Sequence, residues 1–157
     1  MGDGATDKDV YLASLLLIER LHRRLLDVLK AELDRIGRVD INNVQALILY
    51  NIGDDELTVG ELTYRGYYLG SNVSYNVKKL VENGYLLQQR SQHDKRSVRV
   101  KLSDKGLALR DEVNELVERQ VAKLFAPGAL PPQQIAAMNE TLRKLERFWS
   151  AEVRFGG

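Results

Sequence analysis

Hydrophobic residues recur at spacings of three and four over residues 10–36, which is the repeat of one face of an α-helix. The members of this stripe are Tyr11, Leu15, Ile18, His22, Leu25, Leu29, Leu33 and Ile36. A second stripe widens the apolar surface beyond what one packing face needs; its members are Leu17, Leu21 and Val28. The pattern therefore predicts one long helix, ended by Gly37, with an apolar face left for a partner.

Apolar spacing and capping residues predict three shorter helices over residues 41–52, 59–65 and 72–83. Asp40 and Ser71 stand at the N-cap positions of the first and third of these helices. The hydrophobic period then changes to two, which predicts two short strands over residues 85–90 and 97–102. Helical spacing returns in the last third of the chain, over residues 104–126 and 132–152.

These elements predict a mainly α fold with a small two- to three-stranded β-wing. Two short helices joined by a tight turn and followed by a hairpin make a winged helix-turn-helix, here over residues 41–102. Long helices over residues 10–36 and 104–152 flank it and are predicted to form a dimer. We expect all of residues 1–157 to belong to one domain, because the length is typical of one.

The predicted helix over residues 72–83 has the composition of a DNA recognition helix. Its exposed side carries amide, hydroxyl and lysine groups with a single acid, whereas an ordinary solvated face usually carries Glu, Lys and Gln. Amides and hydroxyls can bond base edges in the major groove, and lysines suit phosphates. The predicted DNA contacts in and before this helix are Arg65, Ser71, Asn72, Ser74, Tyr75, Asn76, Lys78 and Lys79.

Charge is unevenly distributed along the chain, although the net charge is only +1. Residues 65–101 hold eight basic and two acidic side chains, so this segment is +6 and the remainder is −5. Such a segment is the electrostatic footprint of a polyanion partner, although a solvated basic face without a partner is the alternative. The hairpin adds Arg90, Lys95 and Arg96 as predicted DNA contacts, and Asp94 is predicted to fix its turn.

Composition and missing motifs weigh against an enzyme. The sequence contains no cysteine, which excludes disulfides, thiolate metal sites and a cysteine nucleophile. It also lacks a Gly-rich phosphate loop, H-E-x-x-H and G-x-S-x-G, so no cofactor and no metal are predicted. Apolar runs such as residues 15–18 are far too short for a membrane span, so we expect a cytoplasmic protein with no membrane partner.

The end of the hairpin resembles the wing signature of the MarR family, D-x-R-x5-L-[ST]-x-x-G. The matching positions are Asp94, Arg96, Leu102, Ser103 and Gly106. The run over residues 80–86, LVENGYL, is similar to the end of the family's recognition helix, and the helix order fits the family over nearly the whole chain. The run over residues 65–74, RGYYLGSNVS, is less typical and resembles the LdtR branch.

The resemblance implies a homodimeric transcription factor, usually a repressor, that a small ligand releases from a palindromic DNA site. The surplus apolar surface independently predicts the dimer interface residues Leu15, Ile18, Leu145, Phe148 and Trp149. Tyrosine hydroxyls beside an apolar wall predict an aromatic or phenolic effector, although plain core packing is the alternative for each tyrosine. The predicted effector-binding residues are His22, Asn43, Leu47, Tyr50, Tyr64 and Tyr68.

A protein-binding winged-helix scaffold without DNA recognition is the competing hypothesis. A wing that binds protein need not be basic, whereas DNA binding requires cations and falls steeply with salt. The basic segment favours double-stranded DNA as the partner.

Overall fold

The computed structural model describes residues 4–66, 70–90 and 97–155, without the side chains of residues 66, 70 and 71. Its elements, in chain order, are α1 (Asp7–Arg35), α2 (Asn43–Ile52), β1 (Leu57–Thr58), α3 (Val59–Gly66), α4 (Gly70–Glu82), β2 (Leu86–Arg90), β3 (Val98–Leu102), α5 (Asp104–Leu124) and α6 (Pro132–Phe155). The predicted fold class, mainly helical with a small β-wing, is confirmed.

Capping side chains define where the first two helices begin. Thr6 caps α1 and exchanges hydrogen bonds with Asp9, while Asn42 caps α2 and exchanges them with Gln45. The prediction that Asp40 caps the second helix is wrong. The carboxylate of Asp40 instead accepts hydrogen bonds from Tyr85 and Lys105, so Asn42, two residues later, serves as the cap.

The wing is a three-stranded antiparallel sheet in the order β1-β3-β2. Gln88 lies opposite Val100 and Gln89 opposite Arg99, and two residues of β1 pair with the other edge of β3. Side chains alternate between the faces, so Val100 and Leu102 are buried while Arg99 and Lys101 are exposed. The outer face of β3 therefore carries cations, and its inner face packs against the core.

One apolar core joins α2, α3 and α4 to the sheet and to the start of α5. The side chains most deeply buried in it are Ile48, Leu49, Ile52, Leu62, Val73, Leu80, Tyr85, Leu86, Val100 and Leu109. Val73, Val77 and Leu80 are buried on α4, as the apolar spacing predicted, whereas Val81 is half-buried. This core fixes which face of α4 remains outside.

The second half of the wing signature has a structural role. The hydroxyl of Ser103 accepts a hydrogen bond from the Gly106 N–H at 3.1 Å and donates one to the Gly84 carbonyl at 2.5 Å. A Cβ on Gly106 would collide with the backbone carbonyl of Tyr85. Ser103 and Gly106 therefore let α5 begin directly against the segment that leads into β2.

The chain divides into two compact units, Met1–Asn114 and Glu115–Gly157, with the boundary inside α5. In the first unit, α1 buries Leu29 and Leu33 but exposes eight large hydrophobic side chains between Val10 and Val28. In the second unit, none of the α6 side chains is buried. None of the helices in the described ranges is long and apolar enough to cross a membrane.

Candidate nucleic-acid interface

Helix α4, the predicted recognition helix, turns a polar face to solvent because its apolar face is held in the core. Asn72, Ser74 and Lys78 are exposed, and Tyr75 is 60% exposed. The buried Val73 and Val77 alternate with them along the helix, so the polar side chains share the outer surface. This surface offers amide, hydroxyl, phenol and ammonium groups, which are the groups that read and position DNA.

Asn76 lies on the other side of α4 from the one predicted. Its side chain is only 8% exposed, so the expectation that it is available to bases is wrong. Its amide oxygen accepts a hydrogen bond from Gln45 Nε2 at 3.2 Å, and its Nδ2 donates to the Asn72 carbonyl at 2.8 Å. Asn76 was placed outside only because an amide was assumed to prefer solvent. Its spacing of three from Val73 and four from Leu80 puts it on the buried face, although no signal identified Gln45 as its partner.

The two lysines of α4 have different surroundings. Lys78 is exposed, whereas Lys79 is half-buried beside Tyr75, with its ammonium 5.9 Å from the ring centroid. Lys79 also lies 3.4 Å from a carboxylate oxygen of Glu82. Because Lys79 already has an aromatic and an acidic neighbour, Lys78 is the cation of α4 better placed to meet a phosphate.

Arg65, at the end of α3, carries an acidic neighbour as well. Its guanidinium donates to Asp55 at 2.7 Å, so part of its charge is neutralised within the chain. In the wing, Arg90 is exposed at the end of β2. Arg99 and Lys101, which belong to the basic segment 65–101 but not to the predicted contacts, are also exposed on the outer face of β3.

Several predicted contacts lie outside the described residues. These are Asp94, Lys95, Arg96 and Tyr68, together with the side chain of Ser71, whose backbone belongs to α4. The DNA-binding, effector-binding and turn roles predicted for them stay predictions, but the prediction that Ser71 caps the helix is wrong because α4 already begins at Gly70.

The described members of the predicted effector-binding set differ in their exposure. Tyr64 is 75% exposed and His22 is exposed, whereas Leu47 and Tyr50 are half-buried on α2. Asn43, the remaining described member, uses its side-chain amide to bond the Leu26 carbonyl of α1 at 3.1 Å. A cleft of about 840 Å³ does lie between α4 and the wing, but Ser74, Lys78 and Gln88 line it rather than these residues.

A polar junction fixes the end of α4 to the start of α5. Asp40 accepts hydrogen bonds from the Tyr85 hydroxyl and from Lys105 Nζ, each at 2.5 Å. Lys105 also donates to the Asn83 carbonyl at 2.8 Å and lies 4.3 Å from the centroid of the Tyr85 ring. Asn83 Nδ2 closes the group by donating to the Asp40 carbonyl at 2.9 Å.

The electrostatics of this junction follow from its geometry. Burial, followed by hydrogen bonding to the Asp40 carboxylate and by its charge, raises the pKa of Tyr85 to about 12. Partial burial acts to raise the pKa of Asp40, but donation from Lys105 and Tyr85 outweighs it, and the pKa lies below its usual value. Asp40 is therefore ionised and Tyr85 neutral at physiological pH.

The predicted dimer residues are only partly covered within the chain. Leu15 and Ile18 are half-buried on α1, and Leu145 and Trp149 are half-buried on α6. Phe148 is 54% exposed.

Comparisons with known proteins agree with this description. Residues 41–106 match the family of the winged helix DNA-binding domain. The chain is 36% identical over 154 residues to the exopolysaccharide II synthesis transcriptional activator ExpG of Rhizobium meliloti, covering 98% of this chain and 79% of that one.

Solved structures share the fold over most of its length. AbsC, a MarR family transcriptional regulator from Streptomyces coelicolor, aligns with a TM-score of 0.72 at 16% identity, over 96% of this chain and 99% of AbsC. BpsR of Bordetella bronchiseptica, whose DNA binding is regulated by 6-hydroxynicotinic acid, aligns with a TM-score of 0.68 at 21% identity, over 85% of this chain and 98% of BpsR.

These findings settle the class of protein. Its relatives regulate transcription, which confirms the prediction that it is not an enzyme. The narrower resemblance to the LdtR branch stays a prediction. The chain belongs to the winged-helix, DNA-binding transcriptional regulators, and it has the fold of the MarR family.

Proposed function

We propose that the protein is a cytoplasmic homodimer that binds a palindromic DNA site with α4 in the major groove and the wing against the flanking backbone. The single observation that carries this proposal is the two-sided α4, with Val73 and Val77 buried and Asn72, Ser74 and Lys78 exposed. Base-reading and phosphate-binding groups thus share one rigidly held surface. A protein-binding scaffold would not need this combination.

The dimer is supported by the apolar side chains that the described chain leaves exposed. They lie on α1 between Val10 and Val28, and on α6 at Met138, Leu142 and Phe148. Monomeric proteins rarely expose long apolar faces of this kind, because contact between apolar surface and water is unfavourable. A partner surface would remove these side chains from water. A two-fold dimer would present two copies of α4 to two half-sites.

The DNA site can be found by selecting duplexes from a random-sequence pool with the wild-type protein. We expect a palindrome with half-sites about 10 base pairs apart, the spacing of successive major grooves, bound by two chains. A selected site without symmetry, or binding by one chain, would contradict the dimer. Equal affinity for selected and shuffled duplexes at every salt concentration would contradict sequence reading.

The direction of regulation has two candidates. Repression by occupying a promoter is what the family resemblance implies, and we propose it first. Activation is the second candidate, because the relative from Rhizobium meliloti is a transcriptional activator. Transcription in vitro from a promoter carrying the selected site separates them, since added protein lowers the transcript yield in the first case and raises it in the second.

We further propose that a small aromatic or phenolic effector releases the DNA. The named effector of BpsR is an aromatic acid, and the half-buried Tyr50 lies on α2, which packs against both α1 and the α4 region. An effector acts only by binding one arrangement of the two recognition helices better than another. A coupling of about 1–3 kcal/mol corresponds to a 5–150-fold weaker affinity for DNA.

A thermal-shift screen of aromatic acids and phenols, followed by DNA titration with each hit, tests the effector. Hits that raise the melting temperature without changing DNA affinity would contradict the proposed switch. If Tyr64→Ala binds a hit as tightly as the wild type does, Tyr64 does not belong to the effector site. Its side chain is 75% exposed in the single chain.

A further inference from the structure

Two amide side chains join α2 to the recognition helix inside an otherwise apolar contact. Gln45 is 7% exposed and Asn76 8% exposed, and Gln45 Nε2 donates to Asn76 Oδ1 at 3.2 Å. The neighbouring buried side chains on the two helices are apolar; they are Ala46, Ile48, Leu49, Val73, Val77 and Leu80. This pair therefore makes a directional contact where all its neighbours make non-directional ones.

Each amide is also tied to its own helix. Gln45 Oε1 accepts from the Asn42 N–H at 3.1 Å, and Asn42 Oδ1 accepts from the Gln45 N–H at 2.8 Å. Asn76 Nδ2 donates to the Asn72 carbonyl at 2.8 Å. The contact thus runs from the capped start of α2 to the backbone of Asn72, whose side chain is exposed.

The start of α2 is in turn anchored to α1. Asn43, the first residue of α2, donates from Nδ2 to the Leu26 carbonyl at 3.1 Å. A hydrogen-bonded path therefore extends from the helix proposed to form the dimer to the first turn of the helix proposed to read DNA. Buried amides are satisfied only in one rotation and one register of the two helices, whereas apolar side chains tolerate several.

We propose that Gln45 and Asn76 are positioning residues, which fix the rotation of α4 on α2 so that Asn72 faces the bases. The proposal rests on the assignment of α4 as the recognition helix. Asn76 contributes to recognition without touching DNA, and its loss lowers the discrimination between DNA sequences more than it lowers non-specific binding.

The test replaces both amides with apolar side chains of similar shape, Gln45→Met with Asn76→Leu. Replacing both partners leaves neither amide unpaired. The Asn42 N–H loses its bond to Gln45, but Asn42 is exposed and water can take that place, so the double variant is expected to keep a cooperative unfolding transition. We expect the ratio of affinities for the selected and shuffled duplexes to fall about tenfold, the scale of one lost base contact. A folded double variant with the wild-type ratio would overturn the proposal.

A second variant keeps the test decisive if the double variant does not fold. Asn76→Ser retains a hydroxyl that can bond the Asn72 carbonyl in the same helix but is too short to reach Gln45. A reduced affinity ratio in this variant supports the proposal, and an unchanged ratio contradicts it.

The matched control is Ile48→Val, which removes one methylene from a fully buried side chain of α2 without touching either amide. It is expected to lower the melting temperature and to leave the affinity ratio unchanged. If Ile48→Val lowers the ratio as much as the amide variants do, loss of stability explains the effect and positioning is wrong. If the wild-type protein shows no preference for any sequence, the proposed function fails, which is distinct from a failure confined to the amide variants.

Discussion

Removing one hydroxyl from the junction between α4 and α5 gives a sharp test of the geometry. Tyr85→Phe keeps the buried ring but deletes the donor that lies 2.5 Å from the Asp40 carboxylate. A hydrogen bond to a charged group contributes about 1.5–3 kcal/mol. Because Asp40 is partly exposed and water can replace the donor, we expect a loss near the lower end of this range in the free energy of unfolding at pH 7.

The pH dependence of that loss follows from the pKa of Tyr85. The fold raises this pKa from 10.0 to about 12, so the stabilising effect of the neutral hydroxyl is fully present below pH 10 and is lost as the pH rises towards 12. The raised pKa corresponds to about 3 kcal/mol in full, of which about half is lost at pH 11. Phenylalanine does not titrate, so the difference in stability between the two proteins narrows by about 1 kcal/mol at pH 11.

Urea unfolding of both proteins from pH 7 to pH 11 measures this difference directly. Tyr75→Phe is the matched control, since it deletes the same hydroxyl from a side chain that is 60% exposed, and it should change stability by less than about 0.5 kcal/mol. A gap between the wild type and Tyr85→Phe that stays constant up to pH 11 would refute the bond between Tyr85 and Asp40.

Three further predictions concern other parts of the chain. Gly106→Ala should lower the free energy of unfolding in urea by about 1–3 kcal/mol, because its Cβ meets the Tyr85 carbonyl. The control Gly60→Ala, whose Cβ meets only Thr58 Oγ1 at 3.9 Å, should leave stability unchanged, and equal effects of the two substitutions would contradict the close approach at Gly106. Truncating Phe148 and Trp149 to Ala should weaken the dimer by several kcal/mol, on the order of 3–5 kcal/mol for each side chain that the partner fully buries. Sedimentation equilibrium measures this loss, and a monomeric wild type at micromolar concentration would disprove the interface. Arg96→Ala should lose about 1–3 kcal/mol of DNA affinity in fluorescence anisotropy if it reaches a groove, and wild-type binding would exclude that role.

Periodicity was sufficient to predict the helices because each carries an apolar stripe, although no side chain of α6 is buried in the described chain. The stripe on α4 predicted the burial of Val73, Val77 and Leu80, and the alternation in β3 predicted that of Val100 and Leu102. Strand β1, Leu57–Thr58, is too short to show a period, so the sequence analysis did not assign it. Its pairing with β3 depends on contacts between residues that are far apart in the sequence.

Polar residues were harder to assign because their preferred surroundings depend on partners that local spacing does not reveal. Aspartate is a residue type that often caps helices, yet the Asp40 carboxylate accepts hydrogen bonds from Tyr85 and Lys105, which follow it by 45 and 65 residues. Asn76 likewise finds Gln45, 31 residues earlier in the chain. The same limit applies to the effector site, since a crevice made by several helices has no motif of its own.

Whether the outer face of α4 reads and holds DNA is measured by the affinities of Asn72→Ala and Lys78→Ala for the selected and shuffled duplexes as a function of salt. Lys78→Ala is predicted to weaken binding to both duplexes equally and to reduce the slope of log affinity against log salt by about one. Asn72→Ala is predicted to lose about 1–3 kcal/mol on the selected duplex alone, with the salt slope unchanged. Wild-type affinity and slope in both variants would contradict the account.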